Sequence, residues 1–548
     1  MKNKLLSAAL AAVITLSCCT ASVASFSAAQ TDDTAGSSQY AQDSIRGAAV
    51  LHCFNWSYNE IKKNLPQIAE AGYTAVQTSP VQQPKDYKSS YAEMSGQWWK
   101  LYQPLTLSIA DGGTSWLGTK AELKAMCEEA DNYNIKVIVD IVSNHMANKQ
   151  EGGGYKNLSP DVESDMKNAD YYHTETYAAS DSARYSMTHG HIGMPDLNTA
   201  NSHVQQRVLG LLEECVDCGV DGFRFDAAKH IELPSDNDKT KSDFWSVIIN
   251  GIKKKKSDVF CYGEILNSAA TDIKNYTEYI AITDNRTGNY ALSVAKSKNA
   301  KSLSKNTYMM GAAAADSVLW AESHDTYMNE GTDAIDNSII YKAWAITGAR
   351  AESTSLYLAR PNSKMGLAST DDGWKSKTVS EINKFKNYFM GEGESLSYSG
   401  KTAYIERGTK GVSISKLDGE GSVSLEAKSM EDGTYKDQIT GNTFTVKDGI
   451  ISGEVGSTCV AVVYNPEPEK PTVTVTIGDA DLDGEITVND VTMVQKYIAE
   501  LEKPEYIKVT GDTNGDGTVD INDASTIQMY LAEMPVESLV GKTVKVEK

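Results

Sequence analysis

Long apolar runs are missing from the interior of this 548-residue chain, so no interior segment is expected to span a bilayer. Positive charge is also scarce. The 52 basic residues stand against 73 acidic ones, a net charge of −21 that repels phosphate backbones and anionic lipid. Nucleic acid and membrane surfaces are therefore poor partners, whereas a neutral substrate and calcium are compatible with the charge. Cysteine is sparse as well. Beyond the first 29 residues only Cys53, Cys127, Cys215, Cys218, Cys261 and Cys459 remain, too few to staple so long a protein, and stability is expected from cores. Cys215 and Cys218 form a lone C-x-x-C without the second pair that a zinc site of that kind needs, so buried thiols are expected. No glycine-rich phosphate loop accompanies any expected strand, which weighs against an open doubly wound sheet.

What is present is ordinary soluble composition, 41% hydrophobic and 23% charged, at a length that implies two to four domains. Lys2 and Lys4 lead into an apolar run from Leu5 to Leu16, and small residues follow around Ala24 and Ala29. That order of charge, apolar stretch and small exit is the pattern of an export signal over 1–29, so a secreted, extracellular protein is expected. Cleavage before a lipid-modified Cys18 or Cys19 is the weaker reading, because Thr15-Leu16-Ser17 matches that signal poorly. Residues 30–45 are small and polar, a disordered lead-in.

From about residue 46 strands and helices alternate. Ala48–Phe54, Thr74–Thr78, Ile135–Val142, Val220–Phe225, Val259–Ile265 and Ser317–Glu322 read as strands. Between them Asn59–Ala71, closed by Gly72, and Thr119–Tyr133 carry helical spacing, as does the run through Val204, Val208, Leu211, Leu212 and Cys215. The segment IKVIVDIV is almost continuously apolar, as a strand covered on both faces should be. Repeated strand–helix units over 46–380 predict an α/β (β/α)8 TIM barrel. From 145 to 201 the rhythm stops in favour of Gly, Asn, Asp, Ser and Tyr, which predicts a small inserted domain over the mouth of the barrel. Beyond it, 381–465 has short alternating strands punctuated by Asp418-Gly419, Asp432-Gly433 and Asp448-Gly449, an antiparallel β-sandwich domain. A proline-spaced linker is expected at 466–477, and a tail at 536–548.

Four strand ends carry the chemistry. Asp140-Ile-Val-Ser-Asn144-His145 ends one, Gly222-Phe-Arg224-Phe-Asp226 the next, Tyr262-Gly-Glu264 a third and Glu322-Ser-His324-Asp325 a fourth. Asp226, Glu264 and Asp325 would thus reach one rim. Breaking an acetal needs a proton on the leaving oxygen and negative charge against an oxocarbenium-like centre, which paired carboxyls supply. Arg224, two residues before Asp226, points to the same side of its strand and is expected to hold the aspartate ionised while Glu264 rests protonated. Trp98 and Trp99 are expected to line the cleft, since indole faces stack on sugar, although a core role would suit them equally. Each residue alone also reads as a strand-end cap or surface charge; their joint order is what is specific.

These segments, with Met194-Pro-Asp196-Leu-Asn198, resemble the sequence regions of the α-amylase family of glycoside hydrolases, Bacillus-type secreted α-amylases in particular, over about Arg46 to Asn465. The resemblance implies endo-hydrolysis of α-1,4-glucosidic bonds in starch and related α-glucans with retention. It implies Asp226 as nucleophile, Glu264 as general acid/base and Asp325 as transition-state stabiliser. His145 and His324 would bind sugar hydroxyls, Tyr102 would stack on the sugar, Asp140 would support, and Arg224, Lys229 and His230 would complete the substrate-binding set. Asn144, Asp196 and the backbone carbonyl of His230 would hold a structural calcium. His189 and His191, matching no motif, are read as loop residues. An α-glucosidase or transglycosylase would keep the same three carboxylates, and a non-catalytic starch-binding component would need one of them replaced.

The C-terminal region repeats itself. GDADLDGEITVND begins at Gly478 and GDTNGDGTVDIND at Gly511. Asp479, Asp481, Asp483 and Asp490 occupy loop positions 1, 3, 5 and 12, and Asp512, Asn514, Asp516 and Asp523 repeat them, with Gly484 and Gly517 at the sharp turn. This spacing wraps oxygen ligands around calcium, one ion per loop. Each loop is followed by an apolar helical run, Val491–Leu501 and Ala524–Leu531. The pair resembles the dockerin module of cellulosome-type assemblies over 478–535, which implies a cohesin module on a scaffold protein as partner and an otherwise monomeric protein. At positions 10 and 11, which help choose the partner in that family, stand Val488-Asn489 and Ile521-Asn522 instead of Ser-Thr. A calcium-stiffened spacer is the competing reading.

Overall fold

The computed structural model describes residues 45–547 apart from 87–96, 113–114, 238–240, 269–270, 272, 304–307, 362–370, 467–471 and 537. The expected export signal, nearly all of the lead-in and residues 467–471 of the expected linker lie outside the described residues.

Eight parallel strands close into a barrel in chain order: β1 (Ala49–His52), β2 (Ala75–Pro80), β5 (Lys136–Ile141), β6 (Gly222–Phe225), β7 (Phe260–Gly263), β8 (Ala281–Thr283), β9 (Ser317–Leu319) and β10 (Thr354–Leu358), which returns to β1. A two-stranded antiparallel excursion, β3 (Gln82–Pro84) with β4 (Pro104–Ile109), leaves after β2. The six expected barrel strands are all present. β8 and β10 carried no sequence signal strong enough to stand out: β8 has three residues, and β10 (TSLYL) is preceded by polar residues that blur its ends.

The period of two decides which residues enter the barrel. Val50, Ala75, Ile138, Phe260, Tyr262, Ala281, Val318 and Leu356 form the inner cluster, while their neighbours Leu51, Val76, Val137, Val139, Phe223 and Phe225 join the layer under the helices. Helix Tyr58–Glu70 starts on a Ser57 side chain that accepts from the Glu60 amide, and buries Ile61, Leu65 and Ile68. Helix Lys120–Asp131 opens with a reciprocal capping box between Thr119 and Glu122. The inserted region after β5 is held by isolated bridges, His145 with Asp196 and Tyr172 with Leu197 among them, and by short helical turns. The six cysteines among the described residues are free; five are buried and Cys459 is half-buried.

Three expected boundaries shift. Helix Lys377–Tyr388 runs across the expected 380/381 border and buries Val379, Ile382 and Phe385, so the antiparallel domain begins at Glu394. That domain is one eight-stranded antiparallel sheet, ordered β11 (Glu394–Ser399), β12 (Thr402–Arg407), β13 (Gly411–Lys416), β18 (Val460–Tyr464), β15 (Gly433–Asp437), β16 (Thr443–Lys447), β17 (Ile450–Val455) and β14 (Gly421–Glu426). Strands from both ends of the sheet feed one core through Tyr404, Val423, Phe444 and Val463, so the two layers of the sandwich come from a single sheet. Finally, β19 (Thr472–Thr476), placed in the linker by sequence, pairs antiparallel with β20 (Thr543–Glu547), placed in the tail. The two flanks of the calcium-loop repeat are thereby tied together. Alternation in TVTVT and TVKVE was the available signal, but each strand is short and pairs across some 70 residues, beyond the reach of a local pattern.

Candidate active site

Inward parity brings the acidic groups together. On β5 the inner positions are Ile138 and Asp140; on β6 they are Gly222 and Arg224; on β7 they are Phe260 and Tyr262. One further step of two reaches Asp226 and Glu264, whose amides extend the ladder by donating to the carbonyls of Ile141 and Phe225 (both 2.9 Å). The site is therefore set by strand period and register.

Arg224 is its hub. Nη1 donates to Asp140 Oδ2 at 2.6 Å and to Asp226 Oδ1 at 2.9 Å, and Nη2 lies 2.9 Å from Glu264 Oε2. The turn after Asp226 passes through Ala227 at φ 50°, and this left-handed step aims its N–H at Glu264 Oε2 (3.1 Å). Asp325 arrives by another route, in the first turn of helix His324–Asn329, whose N-terminus is capped by Ser323. It accepts from Asn329 Nδ2 at 3.3 Å and is the most open of the acidic groups. Glu322, from the same motif, turns away into a fork with Arg360 (2.6 and 3.0 Å) and anchors the segment.

Desolvation works against the expected ionisation of Asp226. Burial pushes the Asp226 carboxyl well above the usual range; Arg224 opposes this, while Glu264, Asp140 and Asp325 add to it. Burial likewise lifts Asp140 to about 6 against the pull of Arg224, and raises Asp325. One guanidinium stands among several buried carboxylates, so desolvation favours a proton shared within the cluster. The expectation of an ionised resting Asp226 counted the arginine and left out the desolvation.

Burial favours the neutral form of the two cleft histidines His145 and His324. Burial lowers His145 to about 4 and His324 to about 3. His145 Nε2 lies 2.8 Å from the Tyr102 carbonyl, to which it must donate, leaving Nδ1 buried and without a partner. His324 lies parallel to Tyr102 (ring centroids 5.4 Å, 6°) and to Phe54 (4.6 Å, 19°). Tyr102 is itself fixed by its hydroxyl, which donates to Asp140 Oδ2 at 3.0 Å. Trp98 is buried edge-on to Tyr102 and His324, whereas Trp99 is 45% exposed. Lys229 Nζ is 3.3 Å from Asp181 of the inserted region, and His230 Nδ1 bonds the Met187 carbonyl at 2.8 Å. A cleft of about 330 Å³ is lined by Trp98, Trp99, Tyr102, Asp226, Lys229, His230, Glu264, His324 and Asp325.

The expected calcium ligands divide into two sets. In the inserted region Asn144 Nδ2 meets Asp196 Oδ1 at 3.0 Å, and the buried Asp196 Oδ2 has no hydrogen-bond partner. Burial, and then Glu232, push the Asp196 carboxyl well above its usual range, so this pair fits a cation. His189, read from sequence as a loop residue, instead gathers with His173 and Glu232, two residues that no motif singled out. His191 does sit in a loop, bonded to Thr176 and Gly193. In the C-terminal repeat, oxygens of Asp479, Asp481 and Asp483 lie within 4.8 Å of one another, and Asp479 Oδ1 is buried without a partner. Asp490 and Asp523 close their loops by accepting from the amides of Ala480 and Asp481, and of Thr513 and Asn514. In the second loop Asn514 turns Nδ2 to Asp516 (3.1 Å), and Asp512 accepts from Gly517. These oxygen-rich loops fit calcium.

Comparison with known proteins gives the same division. The family model of the alpha amylase catalytic domain matches residues 61–340, and that of the dockerin type I domain matches 477–532. An alpha-amylase of Clostridium acetobutylicum is 34% identical over 443 residues, covering 80% of this chain and 56% of that protein. One of Butyrivibrio fibrisolvens is 32% identical over 483 residues, covering 78% of this chain and 48% of that protein. The chain thus spans about half the length of these curated relatives. Among solved structures, a variant of alpha-amylase I from Eisenia fetida in complex with maltohexaose has a TM-score of 0.64 at 17% identity, covering 77% of this chain and 98% of that one. An alpha-amylase from Malbranchea cinnamomea has a TM-score of 0.61 at 16% identity, covering 77% and 97%. At such identity the structures establish the shared fold.

Proposed function

This chain belongs to the α-amylase family, and from that premise we propose that it cleaves internal α-1,4-glucosidic bonds of starch-like glucans with retention, docked to a scaffold protein by its calcium-loop module. The observation that carries the reading is the Arg224 guanidinium holding Asp140, Asp226 and Glu264 together at the open end of the barrel, with Asp325 on the rim. Asp226 is the nucleophile, Glu264 the general acid/base and Asp325 the stabiliser of positive charge. Two carboxylates bridged by one guanidinium suit the separation of about 5 Å that a retaining pair uses. The proton retained by the buried cluster belongs to the group as a whole, and has to stand on Glu264 when the glycosidic oxygen arrives.

Neutral His145 offers Nδ1 as an acceptor, and His324 and Tyr102 form one wall. Trp99 gives the cleft its exposed aromatic face, and Lys229 and His230 close the opposite side. Asn144 and Asp196, with the His230 carbonyl, are the proposed calcium ligands between inserted region and barrel. Calcium bound there would lock the cleft wall. In the C-terminal module Asp479, Asp481, Asp483 and Asp490, then Asp512, Asn514, Asp516 and Asp523, hold one calcium each. Val488 and Ile521, at equivalent positions in the two repeats, are 70% and 57% exposed, a paired apolar surface suited to a cohesin module. The charged start and apolar run from Leu5 to Leu16 support reading the protein as secreted, and the calcium-loop module supports its attachment to a scaffold. Starch digestion tests the enzyme: rapid loss of iodine staining ahead of glucose release supports internal cleavage, and glucose release with staining retained refutes it. Calcium-dependent capture by a cohesin-bearing scaffold tests the docking; failure with every scaffold leaves the spacer reading.

A further inference from the structure

We infer that a second, narrower space beside the catalytic carboxylates is a water channel, which delivers the hydrolytic water to Glu264 while glucan still fills the cleft. This inference rests on the retaining mechanism proposed for the cleft. The space measures about 70 Å³ against about 330 Å³ for the cleft, room for a few waters but not for a sugar chain. Glu264, Leu266, His324 and Asp325 line both, so the two carboxylates stand as the partition between them.

The channel has an open end and a buried end. Asn285, Asn289 and Glu330 line it where helices Asn285–Ser297 and His324–Asn329 follow β8 and β9, and Asn289 and Glu330 are exposed. At the other end it stops on His52, Gln77, Tyr262 and Trp320, all buried. Two polar atoms there, His52 Nε2 and Trp320 Nε1, have no partner in the chain. A buried imidazole nitrogen or indole N–H left unbonded is costly, and in a polar space of this size water is what bonds it. Backbone packing fixes one wall. A Cβ at Gly288, beside Asn289, would collide with the Trp320 carbonyl, so only glycine lets this helix lie so close to the end of β9.

Release of the sugar from Asp226 forms a bond between the water oxygen and the anomeric carbon and breaks the bond from that carbon to the carboxylate. The water's proton passes to Glu264. A sugar hydroxyl in place of water gives transfer. A chain held along Trp99, Lys229 and His230 keeps water out from the cleft side and offers its own hydroxyl instead. Water entering past Asn289 meets Glu264 without that chain having to leave, which favours hydrolysis. Asn289, polar and at the mouth, thereby sets the ratio of hydrolysis to transfer.

The test is the fate of concentrated maltohexaose, with products separated into fragments and oligosaccharides longer than the substrate. Asn289→Phe, which plugs the mouth, should raise the ratio of transfer to hydrolysis at least about fivefold, and Asn289→Ser, which keeps it polar and open, should hold the ratio within about twofold of wild type. An unchanged ratio in Asn289→Phe, or an equal rise in Asn289→Ser, overturns the channel. Crystals of the wild-type enzyme with a non-hydrolysable glucan analogue in the cleft need no variant. Ordered waters should run from Asn289 to Glu264 and on to His52 and Trp320, and their absence overturns the inference even where Asn289→Phe fails to fold. Loss of iodine staining by the wild-type chain tests the underlying reading separately, so the failure of one is distinguishable from the failure of the other.

Discussion

The barrel cleft and the C-terminal calcium-loop module both gather carboxylates, but by opposite means. In the module each set of ligands lies within twelve consecutive residues, and turn geometry alone brings Asp479, Asp481 and Asp483 together. In the cleft Asp140, Arg224, Glu264 and Asp325 follow one another at separations of 84, 40 and 61 residues, and only barrel closure makes them neighbours. The consequence is electrostatic. The loop carboxylates range from buried Asp479, Asp490 and Asp523 to exposed Asp483 and Asp516 and would depend on a cation from solution, whereas Asp140, Asp226 and Glu264 surround a cation the chain supplies itself, Arg224. A site assembled by the fold should respond to substitutions inside the barrel and tolerate chelation of the loops; a site assembled by a local turn should do the reverse.

The sharpest separation is expected from Asp226→Asn. Starch cleavage should fall by about 10⁴-fold or more in kcat, with calcium-dependent docking unchanged. Near-normal turnover would overturn the assignment of the nucleophile. Arg224→Met comes next, because it strands buried carboxylates: unfolding of the barrel should be easier by about 3–5 kcal/mol in denaturant titration, with the module's calcium binding retained. Asp479→Ala is the converse experiment. Removing one ligand should weaken calcium binding to the first loop by about 10²-fold in calorimetry and abolish docking at limiting calcium, while kcat on starch stays within about twofold.

A smaller effect tests the burial of Asp140. Its carboxyl is raised to about 6 in the fold, so its contribution is fully present below its ordinary value and lost as pH rises through 6. Asp140→Asn cannot ionise. The difference in Tm between variant and wild type should therefore move in the variant's favour by about 2–4 °C between pH 4.5 and pH 7.5, and a pH-independent difference would show that burial does not govern this group. Smallest of all is Gly484→Ala. Nothing lies within 4 Å of a Cβ at this glycine, but its φ is +90°, so the cost is backbone strain alone, about 1 kcal/mol or a fivefold loss of calcium affinity.

Legibility followed the same contrast. The repeat beginning at Gly478 and Gly511 was visible because its information is contiguous, and β5 and β6 were visible because both are apolar on the face under the helices. The three-residue β8 and the pairing of β19 with β20 were not, since neither contains enough local pattern to exclude other partners. The strand ends bearing Asp226 and Glu264 could be read from motif and parity. Their ionisation could not, because desolvation depends on what the rest of the chain places around them. His173 and Glu232 were passed over for a related reason: separated by 59 positions, with no spacing rule between them, they meet each other and His189 only in the fold.

The order of residues by itself determined the alternation that builds the barrel, the parity that turns Asp140, Arg224, Asp226 and Glu264 inward, and the turn geometry of the two calcium loops, all consequences of local period and backbone conformation. Tertiary structure alone decided how burial competes with Arg224 over the charge of the cleft carboxyls, where the border at Tyr388 falls, and that two histidines gather with Glu232. Those outcomes depend on distance and solvent exclusion between remote segments, and a linear pattern carries neither.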